Sequence, residues 1–417
     1  MADPIYCALA SNSISFGPTG GSRPCCAVDT HFWKEATHLL GDFDNNIIKW
    51  FNNDDMVSLR GNLLAGKWDR ACNMCRVREA HGQPSTRQIF NKSFDELEAK
   101  TGESLRVTDA VLTDLSKIYM LDITVGSKCN SACLMCNEAA SSLWAKEQET
   151  ITGEHMHWLK PDWFNIQHVP ELIDHLPNLS AVNFVGGEPT ISDAHIVLLK
   201  RLIEQGRAKD ISLGYVTNLT GVSDELLELW SHFGTKHVTI SVDGVGRVNE
   251  YIRYPFSWNK VSSQIEALKN IADSHGNYQI GLSHTVTLFN LTTIDTLLNW
   301  WEDQVASSKS VHTYLSHIQC VNNPDFMNPL YMPREMKEVA RESLQRVNQM
   351  AIDRNLGDKY TSVVNNIINT IIDKEVDEEV RVAKWLQMQD FIIPLDKHRN
   401  RNIFDYLPNM KQYWINT

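Results

Sequence analysis

The sequence predicts an α/β protein whose main part is a partial (β/α)6 barrel of the TIM type. From residue 118 onward, six short β-like runs alternate with amphipathic helical patterns. This alternation is typical of parallel strands joined by right-handed crossover helices. The predicted strands cover residues 118–125, 181–185, 211–217, 237–242, 279–288 and 312–318, and the predicted helices cover 194–205, 224–233, 259–272 and 294–304. Asp193 and Ser223 are the predicted N-caps of the first two helices.

Two flanking regions differ from this pattern. Residues 1–100 are rich in cysteine and contain glycine and proline, with few helical patterns apart from 30–40 and 94–100. The C-terminal residues are mainly helical, with long patterns at 333–355 and 361–389. We therefore predict a small cysteine-rich domain over 1–100, the barrel over 110–325 and a helical C-terminal segment over 326–417.

Composition limits the class of protein. The 417 residues are 42% hydrophobic and 22% charged, as expected for a soluble globular chain. No apolar run approaches the roughly 20 residues of a membrane helix, and the N-terminus lacks an export signal. We expect a cytoplasmic protein, in which clustered cysteines indicate metal binding rather than disulfides. A net charge of −12 argues against a free-standing nucleic-acid binder.

The most informative motif is a cysteine triplet that directly follows the first predicted strand. Cys129, Cys133 and Cys136 are spaced Cys-x3-Cys-x2-Cys. Chemistry in parallel β/α folds lies at the carboxyl ends of strands, which is where this triplet falls. Three thiolates would leave one iron of a four-iron cluster without a protein ligand. The alternative is three-quarters of a zinc site completed by a histidine.

The triplet is followed, about fifty residues later and after the next predicted strand, by Gly186-Gly187-Glu188-Pro189. Together the two motifs resemble the radical S-adenosylmethionine (radical SAM) enzymes, over roughly residues 118–320. One departure is Met135, where that family often has an aromatic residue. The resemblance implies a 4Fe-4S cluster whose open iron is chelated by SAM. One-electron reduction then releases a 5′-deoxyadenosyl radical that abstracts a substrate hydrogen.

The resemblance also implies which residues contact SAM. Gly186 and Gly187 would let the backbone approach the methionine part closely, and Glu188 would hold the amino group. Ser241, at the end of the fourth strand, matches a position that hydrogen-bonds the ribose or carboxylate. The first three of these residues follow a predicted strand, and Ser241 lies at the end of one.

Three further side chains leave alternatives open. Arg253 resembles the arginine that pairs with the SAM carboxylate in peptide-modifying members, and Arg247 is its competitor. Asn218 could reach the methionine or ribose, or form a turn or a helix N-cap. Asp243 is interpreted as a turn-forming residue. His284 is interpreted as part of the barrel interior or of a polar face rather than as a ligand, and Trp144 as part of a lid or a small satellite core.

A second cysteine group lies near the N-terminus. Residues 7–25 follow a Cys-x12-Gly-x4-Cys spacing, and a Cys-x2-Cys pair follows at 72–75. This resembles the auxiliary cluster modules called SPASM and twitch domains, although those usually follow the barrel. The resemblance implies an auxiliary 4Fe-4S cluster, with Cys26 able to replace Cys25, while a four-cysteine zinc site fits nearly as well. The predicted ligands are Cys7, Cys25, Cys72 and Cys75.

These observations lead to one functional prediction with two alternatives. We expect a radical SAM enzyme that modifies a peptide or protein and receives electrons from an external flavodoxin- or ferredoxin-type reductant. Cys320, after the sixth strand, could donate a hydrogen atom to a substrate radical, or be a small buried hydrophobe. The substrate could instead be a nucleoside, sugar or nucleic-acid base. A non-catalytic iron–sulfur redox protein is the remaining alternative.

Overall fold

The computed structural model describes residues 5–29, 47–82, 84–102, 104–154, 163–308 and 312–415. The helical pattern predicted at 30–40 lies outside these residues. Among the described residues, no helix combines the length and the apolar character needed to cross a membrane.

The described residues contain eight strands, β1 to β8 in chain order: Ser13–Phe16, Ser22–Arg23, Met120–Thr124, Ala181–Val185, Ser212–Thr217, Lys236–Ser241, Tyr278–Val286 and His312–Cys320. They form one sheet in the spatial order β2-β1-β3-β4-β5-β6-β7-β8. β1 pairs antiparallel with β2, whereas the β1/β3, β3/β4, β4/β5 and β7/β8 pairs are parallel. Because β3 to β8 stand in chain order with helices between them, the predicted α/β class and partial (β/α)6 barrel are confirmed.

By its internal contacts the chain divides into two compact units. The first consists of Met1–Lys128, Trp158–Tyr215 and Val222–Lys236. The second consists of Cys129–His157, Val216–Gly221 and His237–Thr417. The predicted division into domains 1–100, 110–325 and 326–417 stays a prediction.

The first unit contains more helix near its N-terminus than the sequence suggested. Its helices α1 to α5 are Ala8–Asn12, Ile47–Phe51, Asp54–Leu64, Asn73–Ala80 and Thr86–Thr101. Local capping explains α5, since Ser85 and Gln88 form a capping box at its start and Gly102 ends it in the left-handed conformation. Most of this helix was not predicted, because short helices that are stabilised by caps show little hydrophobic periodicity in the sequence.

The helices between the sheet strands are α6 to α12, namely Ser142–Thr152, Val169–Asp174, Asp193–Glu204, Asp224–Ser231, Arg247–Ile252, Trp258–His275 and Ile294–Gln304. The four predicted helices correspond to α8, α9, α11 and α12 to within a few residues, whereas α6, α7 and α10 were not predicted. Ser223 caps α9 by accepting a hydrogen bond from the Leu226 amide, as predicted. The cap of α8 was placed one residue too late, because Asp193 is already its first helical residue and Ser192 is the N-cap.

The C-terminal part of the second unit has four helices, α13 to α16: Arg334–Asp353, Thr361–Ile367, Glu378–Arg399 and Ile403–Tyr406. The single helix predicted at 361–389 is therefore wrong. A π-helical turn, Ile368–Ile372, follows α14, and Asp377 then starts α15 by accepting from the Glu379 and Val380 amides. α15 continues past Pro394 to Arg399. Where a helix ends, and whether it can contain a proline, depends on tertiary packing. Hydrophobic periodicity in the sequence therefore does not predict either.

Candidate functional site

The three cysteines of the triplet lie on a loop of the second unit, residues 129–136, here called the cysteine loop. Its backbone follows the segment after β6: the Ala132 amide donates to the Tyr254 carbonyl (2.8 Å) and the Leu134 amide donates to the Ile252 carbonyl (2.9 Å). The Cys136 amide closes a turn onto the Cys133 carbonyl (2.9 Å). These bonds fix the loop backbone independently of any metal.

All three thiols of the cysteine loop are partly exposed. Burial, together with the neighbouring Cys133 thiolate, raises the pKa of Cys136 to about 12. The Ser131 hydroxyl lies 3.0 Å from Cys133 Sγ and is also 3.0 Å from the Tyr254 carbonyl. A thiol with so high a pKa stays protonated at neutral pH, so a metal must displace its proton on binding.

A buried ion pair stands beside the triplet. Arg253 Nε donates to Asp243 Oδ2 at 2.6 Å, and Arg253 Nη1 lies 3.7 Å from Cys133 Sγ. Burial favours the neutral form of Arg253, but the Asp243 carboxylate and the Cys133 thiolate raise its pKa overall. Burial likewise disfavours the charged form of Asp243, but Arg253 and then His284 lower its pKa overall. Both groups are therefore ionised.

This arrangement corrects the interpretation of Asp243 as a turn-forming residue. Asp243 is completely buried and accepts from Arg253 and, at Oδ1, from the Thr285 amide (2.8 Å). The competitor Arg247 donates instead to the Asp405 carbonyl (2.6 Å). One signal in the sequence pointed to this pair. A short apolar run precedes Asp243, and a carboxylate that follows such a run into the interior needs a cation nearby.

His284 extends the same arrangement. Its Nδ1 lies 3.4 Å from Asp243 Oδ1 and 3.1 Å from the Val242 carbonyl, and the side chain is 1% exposed. Its Nε2 is buried without a hydrogen-bond partner among the described residues. Of the two locations left open for His284, the interior one is what the structure has. Its link to Asp243 was missed because the two residues are 41 positions apart.

Asn218 and Ser241 also belong to the second unit. Asn218 Nδ2 donates to Asn130 Oδ1 in the cysteine loop (2.8 Å), while its Oδ1 accepts from the Thr220 amide (2.9 Å) and hydroxyl (2.7 Å). Asn218 therefore forms a turn and contacts the cysteine loop at once. Ser241 is the half-buried last residue of β6, where the sequence had put it.

The Gly-Gly-Glu-Pro segment lies in the first unit, directly after β4. Gly186 and Gly187 have positive φ values of 81° and 25°. A Cβ on Gly186 would lie 2.3 Å from Thr124 Cγ2, and one on Gly187 would lie 2.3 Å from the Lys128 carbonyl oxygen. The chain's own packing therefore requires both glycines, which adds a reason to the ligand approach inferred from the sequence.

Glu188 is 1% exposed. Its amide donates to the Lys128 carbonyl (2.9 Å), one residue before Cys129. Its Oε1 accepts from the Thr190 amide (3.1 Å) and hydroxyl (2.7 Å), which caps the short 3-10 helix Pro189–Ile191. The carboxylate thus has local partners that hold it in one orientation.

The N-terminal cysteines form a second group, within the first unit. Cys72 is the N-cap residue of α4 and Cys75 lies in its first turn. Burial raises the pKa of Cys7 to about 11 and that of Cys72 to about 12, and it also raises the pKa of Cys25. Other cysteine thiolates contribute, with Cys75 acting on Cys7, and Cys7 acting on Cys25 and Cys72. Cys7 is thus electrostatically coupled to each of the other three predicted ligands.

The fifth thiol of this group, Cys26, is exposed. Although the residue has exposed surface, the protein around its sulfur removes water from the thiol. This desolvation, followed by the Asp122 carboxylate, raises the pKa of Cys26 to about 12. In the part of the chain that the structure describes, no three His, Cys, Asp or Glu side chains are grouped so as to hold a metal ion. Tetrahedral zinc would need four sulfurs at about 2.3 Å from one point.

Cys320 is the last residue of β8 and pairs in register with Val286 of β7. It is partly exposed, and burial of its thiol raises the pKa to about 12. At neutral pH it is a thiol rather than a thiolate.

Trp144 of α6 contacts the cysteine loop, which the sequence did not reveal. It is 2% exposed, and its Nε1 donates to the Cys136 carbonyl (2.5 Å). A buried indole N–H needs an acceptor, so the requirement for a partner was foreseeable, but not the identity of that partner.

Comparison with known proteins gives the class. Residues 123–298 match the radical SAM superfamily. The match contains the cysteine loop, the Gly-Gly-Glu-Pro segment and the Asp243–Arg253 pair. The resemblance to the radical SAM superfamily that the motifs predicted is therefore confirmed over these residues.

Individual relatives are more distant. The chain is 29% identical over 134 residues to the pre-heme d1 synthase of Dinoroseobacter shibae (strain DSM 16493 / NCIMB 14021 / DFL 12), a match that covers 32% of this chain and 30% of that protein. Among solved structures, histidine-tagged anSMEcpe with bound AdoMet has 16% identity and a TM-score of 0.37, covering 58% of this chain and 62% of that one.

Streptococcus suis SuiB bound to precursor peptide SuiA has 12% identity and a TM-score of 0.35, covering 65% of this chain and 62% of that one. The chain thus spans less than two thirds of each of these three proteins. Because identities and TM-scores are low, the superfamily relationship rests on the match over residues 123–298.

Proposed function

We propose that this chain reductively cleaves SAM and abstracts a hydrogen atom from a peptide or protein substrate. The observation that carries the proposal is the cysteine loop, whose backbone is fixed and whose Cys133 thiol lies 3.7 Å from the buried Arg253 guanidinium. A soft three-thiol donor set with an adjacent cation fits a 4Fe-4S cluster that binds an anionic ligand at its fourth iron. When bound, this cluster and SAM supply the electron and the 5′-deoxyadenosyl radical.

The protein's own side chains bind and orient. Cys129, Cys133 and Cys136 are the proposed cluster ligands. Arg253, kept ionised and oriented by Asp243, is the proposed partner of the SAM carboxylate, because a guanidinium fork fits a carboxylate in two-pronged fashion.

Five other residues have proposed roles toward SAM. Glu188 holds the SAM amino group, with Gly186 and Gly187 shaping the backbone beside it. Ser241 and Asn218 contact the ribose or the methionine part, and the Asn218 bond to Asn130 supports a role next to the cysteine loop.

The N-terminal cysteines are the proposed ligands of an auxiliary 4Fe-4S cluster. Electrostatic coupling of Cys7 to Cys25, Cys72 and Cys75 supports a shared site for these four thiols. A zinc ion held by the four thiolates is the alternative, and the metal content separates the two. Electrons come from an external flavodoxin- or ferredoxin-type reductant.

Cys320 is the proposed hydrogen-atom donor. Its high pKa keeps it in the S–H form, which is the form that has a hydrogen atom to give. In this step the S–H bond breaks and a C–H bond forms on the substrate radical. The resulting thiyl radical takes one electron from the external reductant and one proton from solvent, which restores the thiol.

A peptide or protein substrate is proposed because enzymes with auxiliary clusters commonly act on such substrates. A nucleoside, sugar or nucleic-acid base is the alternative substrate class. The two are distinguished by deuterium transfer: each candidate is supplied deuterated, and label is sought in 5′-deoxyadenosine.

The experiment that tests the activity is anaerobic reconstitution followed by reduction with dithionite in the presence of SAM. We expect about eight irons per chain, from four at each of two sites, and release of 5′-deoxyadenosine. The Cys133→Ala variant should release none, while Cys320→Ala should still cleave SAM. If the wild-type chain produces no 5′-deoxyadenosine with any candidate substrate present, the proposed function is wrong.

A further inference from the structure

We propose that Arg399, the last residue of α15, is a positioning residue for the cysteine loop. Arg399 Nη2 donates to the carbonyl oxygen of Ala132 at 2.7 Å, and this contact is buried. Ala132 lies between Cys129 and Cys133, so the bond fixes the peptide plane that precedes Cys133. The inference rests on the proposed cluster at the triplet, and it gives the C-terminal helical segment a part in that site.

Glu147 of α6 determines where the Arg399 guanidinium lies. Arg399 Nε is 3.0 Å from Glu147 Oε1, and Nη2 is 2.5 Å from Oε2. The two side chains are only 2% and 5% exposed. One planar fork thus bonds a carboxylate with two of its nitrogens and still reaches the Ala132 carbonyl. A lysine ammonium is a point charge and cannot reproduce that geometry.

Two aromatic rings connect the same guanidinium to other points of the loop. Arg399 Cζ lies 4.4 Å from the Tyr254 ring centroid and 5.3 Å from that of Trp144. The Tyr254 carbonyl accepts from the Ala132 amide (2.8 Å), and Trp144 Nε1 donates to the Cys136 carbonyl (2.5 Å). Through these two rings Arg399 is connected to the cysteine loop at Ala132, just before Cys133, and at Cys136.

The position of Arg253 depends on the same contacts. Arg253 directly precedes Tyr254, and its guanidinium lies 3.7 Å from Cys133 Sγ. Disturbing Arg399 should therefore change the surroundings of the cluster sulfur as well as the mobility of the loop. A purely structural ion pair elsewhere on the protein would not do this.

The test compares two double variants in the full chain. Arg399→Gln with Glu147→Gln removes the buried pair without leaving an unpaired charge, a defect that would itself destabilise the fold. The matched control, Arg381→Gln with Glu378→Gln, removes an ion pair of the same helix whose glutamate is exposed. A third variant, Arg399→Lys, keeps the charge opposite Glu147.

Two measurements are made on each variant. Amide hydrogen exchange of a peptide covering residues 129–136 is followed in metal-free protein. Iron content and the electron paramagnetic resonance spectrum of the reduced holoprotein are then recorded with and without SAM. We expect the Arg399 double variant to exchange the Ala132 and Leu134 amides about tenfold faster, as loss of a charge-assisted hydrogen bond implies. We also expect it to lose most of the spectral change that SAM produces.

The control should match wild type in both measurements, and Arg399→Lys should be intermediate. Unchanged exchange and an unchanged SAM response in the Arg399 double variant would overturn the inference. If wild type holds no cluster at the triplet, the proposed function fails, but exchange in the metal-free protein still decides whether Arg399 positions the loop.

Discussion

Arg253 Nε and Asp243 Oδ2 form a largely buried ion pair at 2.6 Å, and Nη1 of the same guanidinium lies 3.7 Å from Cys133 Sγ. Asp243 accepts three hydrogen-bonding contacts, from Arg253, from the Thr285 amide and from His284. One carboxylate therefore holds in place the cation that is next to the proposed cluster. The consequences can be measured.

Replacing Asp243 by asparagine should destabilise the protein by about 3 kcal/mol, because a buried arginine loses its counter-charge. The same change should weaken SAM binding, since Arg253 is no longer held toward Cys133. Urea unfolding measures the first effect and equilibrium dialysis of the reconstituted protein measures the second. Asp174→Asn is the control: its partner Arg201 is exposed to solvent, so the loss of stability should be much smaller. Equal losses in the two variants would contradict this account.

Alanine at Gly187 should prevent stable folding of the Gly-Gly-Glu-Pro segment. The added Cβ would lie 2.3 Å from the Lys128 carbonyl oxygen, which is backbone and cannot move aside cheaply. Gly206 is a matched control, because it also has a positive φ, 71°, but has nothing within 4 Å of the added Cβ. We expect Gly206→Ala to cost about 1–2 kcal/mol from the left-handed backbone alone, and Gly187→Ala to cost more. Thermal unfolding of the metal-free variants measures both, and similar midpoints would refute the steric argument.

Removing ligands of the auxiliary site should halve the iron content. The Cys7→Ala, Cys72→Ala double variant should retain about four irons per chain instead of about eight. Cys26→Ala should leave the iron content unchanged, because Cys25 is the proposed ligand. Iron and zinc are measured together by plasma emission spectroscopy. One zinc and about four irons in the wild-type chain would show that the N-terminal site is not an iron–sulfur cluster.

Cys320 should react slowly with iodoacetamide at neutral pH. Its pKa of about 12 in the folded protein lies above the value of about 8.5 for an unperturbed thiol, and only the thiolate is nucleophilic. Between pH 7 and pH 11 the labelling rate should therefore rise about tenfold per pH unit without levelling off. Mass spectrometry of the peptide containing Cys320 follows the reaction, with urea-unfolded protein as the control. A plateau near pH 9 in the folded protein would mean that burial does not perturb this thiol.

Local patterns determined much of the fold. The six strands and four connecting helices predicted in the barrel are found within a few residues of their observed ends, because alternating β and helical patterns are read over short windows. The cysteine triplet and the Gly-Gly-Glu-Pro segment were visible for the same reason. The helices α3 and α4, the first half of α5 and the break before α15 were not, since they depend on caps and packing.

What only the tertiary structure decided is which distant groups meet. No residue near Asp243 in the sequence predicts its contact with His284. No residue near Ala132 predicts its hydrogen bond with Arg399, which is 267 positions away. From the sequence alone, a charged side chain is expected at the surface. Where the fold buries it, it needs a partner of opposite charge. The sequence by itself determined the barrel and its cysteine triplet. Only the tertiary structure decided that Asp243 holds Arg253 beside Cys133. It also decided that Arg399, at the end of α15, reaches the cysteine loop.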